Sequence, residues 1–387
     1  MIKMLLWTNL ILVVFIFFVF PLLIAFIAAL KGKQPKREDI EPSVSVIIPM
    51  HNEERVVKEK VDNLFLLDYP TDKLEILFVL DGCTDKTKEH LLEYKNSRLK
   101  IFDNTERGGK VAALNNAVPR TNGEIIVFTD ANSIHERDAL RKLVRNFADE
   151  SVGCVSGKLV YTSVDRTVVG KGENLYWKNE DFIKKQESKL GKLLVTSGSI
   201  QAVRRDVYPY PDPEIADDFS IPLLIQAQGH KVLYEPEAIV YEIATQSLVE
   251  EFNQKVRIVA QGMKGFARLW RLLLELSPIG IFELLFHKVL RWFVGFYLIV
   301  IYLVNMALWD GGFYSGLFML QTVFYVLALA GFLLRHKTKI RILYIPFYFC
   351  LINFASIAAA YKFLKGEQTR TWDKAHTTRV KVIEVKA

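Results

Sequence analysis

The sequence predicts an α/β domain on a mostly parallel sheet, with transmembrane helices before and after it. Three observations carry this expectation. Short apolar, β-favouring runs alternate with helical patterns between residues 44 and 147, as parallel strands joined by crossover helices do. An uncharged run separates Lys3 from Lys31, longer than the roughly 20 residues a spanning helix needs. Three further uncharged apolar runs, Trp292 to Trp309, Gly311 to Leu334 and Ile342 to Tyr361, lie near the other end.

The first run is followed at once by Lys31, Lys33, Lys36 and Arg37. Basic flanks stay on the cytoplasmic side, so the next domain is expected in the cytoplasm and the N-terminus outside. Pro21 is expected to kink this span. Residues 31–42, with Pro35 and Pro42 among charges, read as a linker. Val44 to Ile48 is a strand broken by Pro49, and Asn52 is placed to cap a helix from Glu53 to about Leu67. Leu74 to Leu80 is a strand ending in Asp81-Gly82, and Thr84 opens a helix to about Tyr94. Leu99 to Phe102, Glu124 to Thr129 and Val155 to Tyr161 are further strands. Lys110 to Val118 and Arg137 to Phe147 are helices between them. A small, polar stretch, Thr196 to Gln201, precedes a proline-rich loop and Ala216-Asp-Asp218. A helix then runs to Gln228, stops at Gly229, and gives way to a strand from Lys231 to Tyr234. Leu248 to Leu276 is a basic amphipathic helix of the kind that lies in a headgroup plane. The expected division is therefore 1–30 span, 31–42 linker, 43–246 catalytic-type domain, 247–290 interfacial helices, 291–364 spans and 365–387 basic tail. One conflict remains. Three full C-terminal spans put the tail outside, whereas its charge, like that of the loop Arg335 to Arg341, says inside. A segment that lies flat or re-enters resolves it, and the run containing Pro346 is the candidate.

Composition excludes some classes. The 387 residues are 51% hydrophobic with 26 Phe, and the apolar excess sits at both ends. The net charge of +7 comes from basic residues flanking apolar runs, with no basic stripe interleaved with aromatics, so no nucleic acid partner is expected. Cys83, Cys154 and Cys350 form no close pair, and the seven His include no HExxH, so neither a disulfide framework nor a zinc site is expected.

The chemistry-bearing stretch is Glu124-Ile-Ile-Val-Phe-Thr-Asp-Ala-Asn-Ser133. An apolar run ending in a carboxylate, a small residue and an amide is how a buried parallel strand delivers metal-seeking groups to its carboxyl end. A divalent cation with a diphosphate fits Asp130 and Asn132. The same residues fit a plain strand followed by a helix that starts near Glu136, capped by Asn132 or Ser133. Asn52-Glu53, Asp81 and Asp130 all follow strands and converge on one crevice if the sheet is parallel. There Asp81 can accept a base N–H, and Lys110 of Arg107-Gly-Gly-Lys110 can reach a phosphate. That stretch is not a Walker loop, and taken alone it reads first as a flexible turn before a helix. Asp217-Asp218 can cap a helix or hold a general base. Gln254 and Arg257 share a helical face, where Arg257 can clamp a diphosphate or meet headgroups.

In order, Pro49-x-x-Asn-Glu53, Asp81-Gly82, Gly109-Lys110-x-x-Ala-Leu-Asn115, Asp130-Ala-Asn132, Asp217-Asp218 and Gln254-x-x-Arg257 resemble the family 2 inverting glycosyltransferases. The resemblance is closest to the membrane-integrated branch that includes cellulose, hyaluronan and poly-N-acetylglucosamine synthases. It covers residues 43 to 275. Beyond them, His287-Lys-Val-Leu-Arg-Trp292 and Trp372 are similar in layout only. The resemblance implies a GT-A-type, Rossmann-like cytosolic domain, a nucleoside-diphosphate sugar donor (UDP-linked) and Mg2+ or Mn2+. It assigns Pro49, Asn52, Glu53, Asp81, Lys110, Asp130, Ala131 and Arg257 to the donor, with Asp81 at the base and Arg257 at the diphosphate. It assigns Asp130 and Asn132 to the metal, Ser197, Gly198, Gln201, Asp217 and Gln254 to the acceptor, and the catalytic base to Asp218.

Three positions depart from that pattern. The metal motif ends in Asn132 instead of a second Asp, which lowers the charge offered to a cation. Ile258 stands where processive synthases carry Trp after the Arg. Asp217 replaces a Glu. The expected function is a multi-pass cell-membrane enzyme, its catalytic domain cytoplasmic, that moves a sugar to a lipid-linked or growing glycan acceptor at the bilayer. Ile258 and the single N-terminal span favour few additions per encounter, whereas the C-terminal spans favour a processive synthase that extrudes its polymer. A non-catalytic nucleotide-sugar-binding scaffold is the reading of another class, resting on Asn132.

Overall fold

The computed structural model describes residues 1–162, 169–245, 247–334, 341–367 and 376–379. Trp372 and the loop Arg335 to Lys339 lie outside these. The chain opens with one long helix, α1 (Ile2–Val14) and α2 (Phe20–Lys31), joined by a π-helical turn at Phe15–Val19. The turn widens the helix just before Pro21, so the missing amide of that proline is accommodated inside a continuous span.

Eight strands follow in one sheet: β1 (Val44–Met50), β2 (Leu74–Asp81), β3 (Leu99–Asn104), β4 (Ile125–Phe128), β5 (Ile134–His135), β6 (Val152–Thr162), β7 (Gln201–Arg204) and β8 (Lys231–Ile243), in the order β3-β2-β1-β4-β7-β6-β8-β5. The pairs β1–β2, β1–β4, β2–β3 and β6–β8 are parallel. β7 runs antiparallel between β4 and β6, and β5 is antiparallel to β8. The mostly parallel sheet is as expected; the inserted β7 is not, because Gln201 reads as the end of a polar stretch. Every residue of β1 is buried, which only a sheet covered on both faces allows. Val46 and Ile48 point into one core with α3 (Val57–Phe65), α4 (Thr87–Leu92) and α6 (Ala139–Val144), and Ile47 into the other with α5 (Lys110–Ala117) and α8 (Asp217–Ala227). α7 (Val169–Lys189) lies between β6 and β7 in sequence. Because β2, β1 and β4 are adjacent and parallel, Asp81, Asn52 and Asp130 leave the sheet at the same edge.

Two local expectations are corrected. β1 continues through Pro49 to Met50, and the following helix begins at Val57, not Glu53. Asn52 does not cap it. Asn52 adopts φ 56°, a left-handed conformation that asparagine tolerates, and its side-chain oxygen accepts from the backbone N–H of Thr84 and Asp85. After Asp130 no helix starts near Glu136; Ile134–His135 pairs with β8 first, and α6 begins at Ala139.

The C-terminal third is helical: α9 (Leu248–Leu269), α10 (Pro278–Glu283), a π-helical turn at Leu284–Val289, α11 (Leu290–Trp292), α12 (Val294–Ala307), α13 (Phe313–Leu333) and α14 (Arg341–Lys365). Ile2–Lys31, Phe313–Leu333 and Ile342–Lys365 are long and apolar enough to cross a membrane, and Pro278–Trp292 with Val294–Ala307 forms a pair bent by 59°. Trp7 stacks on Phe313 and Lys3 lies over Tyr314, so the start of α1 and the start of α13 share one end of the bundle. The opposite end adjoins the sheet domain, where Lys33 N–H donates to the Lys189 carbonyl. α14 begins beside the end of α13: a Cβ on Gly331 would fall 2.3 Å from the Leu343 carbonyl oxygen. Its middle meets the start of α12, where a Cβ on Gly295 would fall 2.8 Å from the Asn353 carbonyl. Glycine lets both helix pairs approach closely. α14 thus runs beside α9 with both ends near the sheet domain, and the tail beyond it docks there through Arg379 and Glu53.

Candidate active site

The site is built from strand ends and one pinned turn. Asp81 ends β2 fully buried. Its Oδ1 accepts from Gly108 N–H at 2.7 Å and its Oδ2 from Gly109 N–H at 2.9 Å. Gly109 sits at φ 92°, open to glycine and strained for other residues. The turn is therefore held, not flexible, and it starts α5 at Lys110. Each Asp81 oxygen thus accepts one bond from the turn and keeps a second lone pair; its role at a base is a proposal.

Lys110 is the hub. Its Nζ lies 2.8 Å from Asp130 Oδ1, 3.1 Å from Asp217 Oδ2 and 3.2 Å from the Gly198 carbonyl, which accepts its hydrogen bond. The Asp217 contact is an ion pair without hydrogen-bond alignment, since Oδ2 has no bonded partner. Burial pulls the Lys110 pKa down, but the two carboxylates outweigh it and hold the ammonium well above the ordinary lysine value. Burial likewise pushes Asp130 up, and Lys110 more than offsets this, so Asp130 stays below its ordinary value. One cation thus joins the end of β4 to the start of α8.

Asp217 and Asp218 occupy the first turn of α8 behind Ala216, where the helix dipole favours negative charge. Neither accepts a capping hydrogen bond. Asp218 is half-buried, and its carboxylate makes no hydrogen bond with any described residue; its carbonyl accepts from Thr196 N–H at 3.0 Å and Thr196 Oγ1 at 3.2 Å. Burial first, then the adjacent Asp217, pushes the Asp218 pKa up to about 6. A bare carboxylate near 6 is suited to taking a proton at neutral pH.

The Thr196–Gln201 segment wraps this turn. Ser197 N–H donates to Ser156 Oγ at 2.9 Å, and the Gly198 carbonyl faces Lys110. Gln201, expected at the acceptor, is fully buried within β7, and its side-chain oxygen accepts from Thr196 Oγ1. It props the segment from inside. Pro49 and Ala131 are buried at strand ends. Glu53 is committed to Arg379, whose Nε and Nη2 donate to its two oxygens at 3.0 and 2.8 Å. Gln254 and Arg257 are half-buried on α9, which packs on α8, the helix that carries Asp217 and Asp218.

Residues unflagged by the sequence complete the site. Ser199 Oγ lies 3.1 Å from Asp130 Oδ2 and 2.5 Å from Glu242 Oε1. Lys60, fully buried, donates to Thr129 Oγ1 and the Ser133 carbonyl behind Asp130, and burial lowers its pKa to about 7. Arg379 pairs with Glu53, and its charge is felt at Asp130 and Glu242. A signal for Glu242 existed: Ile239-Val-Tyr-Glu242 is another apolar run ending in a carboxylate.

The donors around Asp130 suit a hard divalent cation. The Asp130 carboxylate has the Ser199 hydroxyl beside it, the Asn132 amide follows two residues on in the chain, and the Gly198 carbonyl shares Lys110 with it. The Lys110 ammonium already stands among them as a resident positive charge. Among the described residues no three His, Cys, Asp or Glu side chains converge on one point, so ligand oxygens must complete the coordination of any cation bound there.

A twisted, mostly parallel sheet with carboxylates at the exit of its central strands defines a GT-A-like α/β fold. Superposition agrees. The mannosyltransferase PcManGT from Pyrobaculum calidifontis, solved in complex with GDP-Man and Mn2+, matches with a TM-score of 0.69 over 94% of this chain and 100% of that one, at 24% identity. Residues 45–209 match the family described as Glycosyl transferase family 2, so the chain carries a family 2 glycosyltransferase domain. Among curated proteins it is 27% identical over 244 residues to the beta-monoglucosyldiacylglycerol synthase of Nostoc sp., covering 60% of this chain and 52% of that one. It is 23% identical over 267 residues to the poly-beta-1,6-N-acetyl-D-glucosamine synthase of Staphylococcus aureus, covering 67% and 64%. The matches span between about half and two thirds of these relatives' length.

Proposed function

We propose that this protein is a membrane-bound inverting glycosyltransferase that moves a sugar from a nucleoside-diphosphate sugar to a hydroxyl of an acceptor held at the bilayer. The observation that carries the reading is the bare, half-buried carboxylate of Asp218 next to the Lys110–Asp130–Asp217 cluster. Asp218 takes the proton of the acceptor hydroxyl as that oxygen attacks the anomeric carbon from the face opposite the leaving group. The bond to the nucleoside diphosphate breaks in the same displacement, so configuration inverts. Lys110, tied to Asp130, places positive charge where the diphosphate departs, and Arg257 adds a second cation from α9. Mg2+ or Mn2+, held by Asp130 and ligand oxygens, would neutralise the leaving diphosphate. Ser197 and Gly198 border the acceptor side, with Asp217 fixed by Lys110.

Two relatives bear on the acceptor. One is named for a glucosylated diacylglycerol and one for a poly-N-acetylglucosamine, so a lipid-linked hydroxyl and a growing glycan are the two classes to test. Ile258, exposed on α9, favours few additions. The catalytic domain is cytoplasmic by the basic residues that follow α2. α12 and α13 cross as a hairpin, while α14 lies along the inner face beside α9, which returns the basic tail to the cytoplasmic side.

The test is nucleoside-diphosphate release by the full chain in nanodiscs across UDP- and GDP-sugars, with lipid and glycan acceptors compared. Turnover with one donor that falls at least about a thousandfold in Asp218→Asn, with donor binding kept, is the expected result. Unchanged turnover in that variant overturns the assignment. A ladder of long products establishes the processive alternative.

A further inference from the structure

Asn132 leaves the cation position one acid short of the pair such a motif carries, and the fold brings a carboxylate from elsewhere. Glu242 lies near the end of β8, over a hundred residues further along the chain. Two hydrogen-bond lengths separate it from Asp130: Ser199 Oγ is 2.5 Å from Glu242 Oε1 and 3.1 Å from Asp130 Oδ2. Ser133, the neighbour of Asn132, donates to the same Glu242 oxygen at 2.6 Å. The Ser199 hydroxyl has one proton and so satisfies one carboxylate at a time. Two half-buried carboxylates facing each other across a shared hydroxyl repel unless a cation joins them. Among the described residues, the charged groups that act on Glu242 include Asp130, Lys60 and Arg379. Lys60 is engaged with Thr129 and Ser133 behind the strand, and Arg379 with Glu53. The Asn132 amide, 8% exposed, has no hydrogen-bond partner among the described residues.

We propose that Glu242 supplies the second negative charge of the divalent-cation site, in place of an acid at position 132, and is coupled to Asp130 through the Ser199 hydroxyl. This rests on the reading of Asp130 as the site of a cation that accompanies a nucleoside diphosphate. It also explains how a motif that ends in an amide retains its function: the charge is moved to another strand.

The experiment is Mn2+ binding to the full chain in nanodiscs, followed by electron paramagnetic resonance, with UDP and separately with GDP. Glu242→Gln is expected to weaken Mn2+ binding about 10–100-fold, Asn132→Ala only slightly, and Asn132→Asp added to Glu242→Gln to restore most of the loss. A merely structural role for Glu242 does not give that rescue. Ser199→Ala weakens Mn2+ in the same direction and serves if Glu242→Gln does not fold. Unchanged affinity in Glu242→Gln, failure of Asn132→Asp to rescue it, equal losses in Asn132→Ala and Glu242→Gln, or no Mn2+ binding by the wild type overturns the proposal. Mn2+ affinity that follows this pattern without sugar transfer from any donor leaves this proposal standing and removes the glycosyltransferase reading.

Discussion

Asp217 and Asp218 are neighbours with opposite surroundings, and the difference decides their roles. Asp217 is paired with Lys110, whereas Asp218 is bare and its pKa is raised from the ordinary 3.8 to about 6. Activity is therefore expected to rise with pH through about 6 and level off above it, in kcat/KM profiles. The stability sign is opposite. The folded state holds the Asp218 proton more tightly than the unfolded chain does. The stability this lends is full below the ordinary value and is lost as pH rises through about 6. Asp218→Asn should then be inactive yet raise the melting temperature at pH 7.5, while matching wild type at pH 4; a lower melting temperature at pH 7.5 contradicts the assignment. Lys110→Met should do the reverse. It strands Asp130 and Asp217 without their cation, a loss of roughly 3–5 kcal/mol for a buried pair broken on one side, read as a drop in denaturation midpoint.

At the scale of elements, a pinned turn and the strand exits make the site. Asp81 holds Gly108 and Gly109 through two charge-assisted bonds, each contributing about 1.5–3 kcal/mol. Asp81→Asn should loosen residues 107–110, measured as faster amide hydrogen exchange there, and should raise KM for donor more than it lowers kcat. The strand exits were legible because β1, β2 and β4 are apolar runs that end abruptly in Asn52, Asp81 and Asp130. β8 was not. Its expected end at Tyr234 precedes Glu235-Pro-Glu237, which reads as a break, yet the strand passes through Pro236 to Ile243. A register irregularity between Ser156 and Lys158 of its partner absorbs the interruption. That is why Glu242 escaped notice. Gln201 was misplaced for a related reason: a polar residue in a polar stretch carries no sign that β7 will bury it.

For the whole molecule, the position of the tail bears on the proposed topology. Arg379 bonds to Glu53 of the sheet domain and Thr377 to Glu250, which supports the proposal that α12 and α13 cross as a pair and α14 does not. In a variant without native cysteines, Glu89→Cys and Glu367→Cys should label from the same side of a sealed vesicle and Gly312→Cys from the other. Labelling of Glu367→Cys with Gly312→Cys would show that α14 crosses. The same docking brings the Arg379 charge within electrostatic range of Asp130 and Glu242, so a segment that sequence treats as a basic tail adjoins the site.

By itself the sequence determined the alternation of strands and helices, the apolar spans and the carboxylates at the strand ends, because each is written in local periodicity and in residues a few positions apart. Only the tertiary structure decided what those carboxylates meet. Lys110 joins Asp130 to Asp217, Asp81 turns inward under a glycine turn, Ser199 and Glu242 arrive beside Asp130, and the tail folds back onto Glu53. These pairings join residues dozens to hundreds of positions apart. Electrostatics acts across space, so no local pattern could announce them.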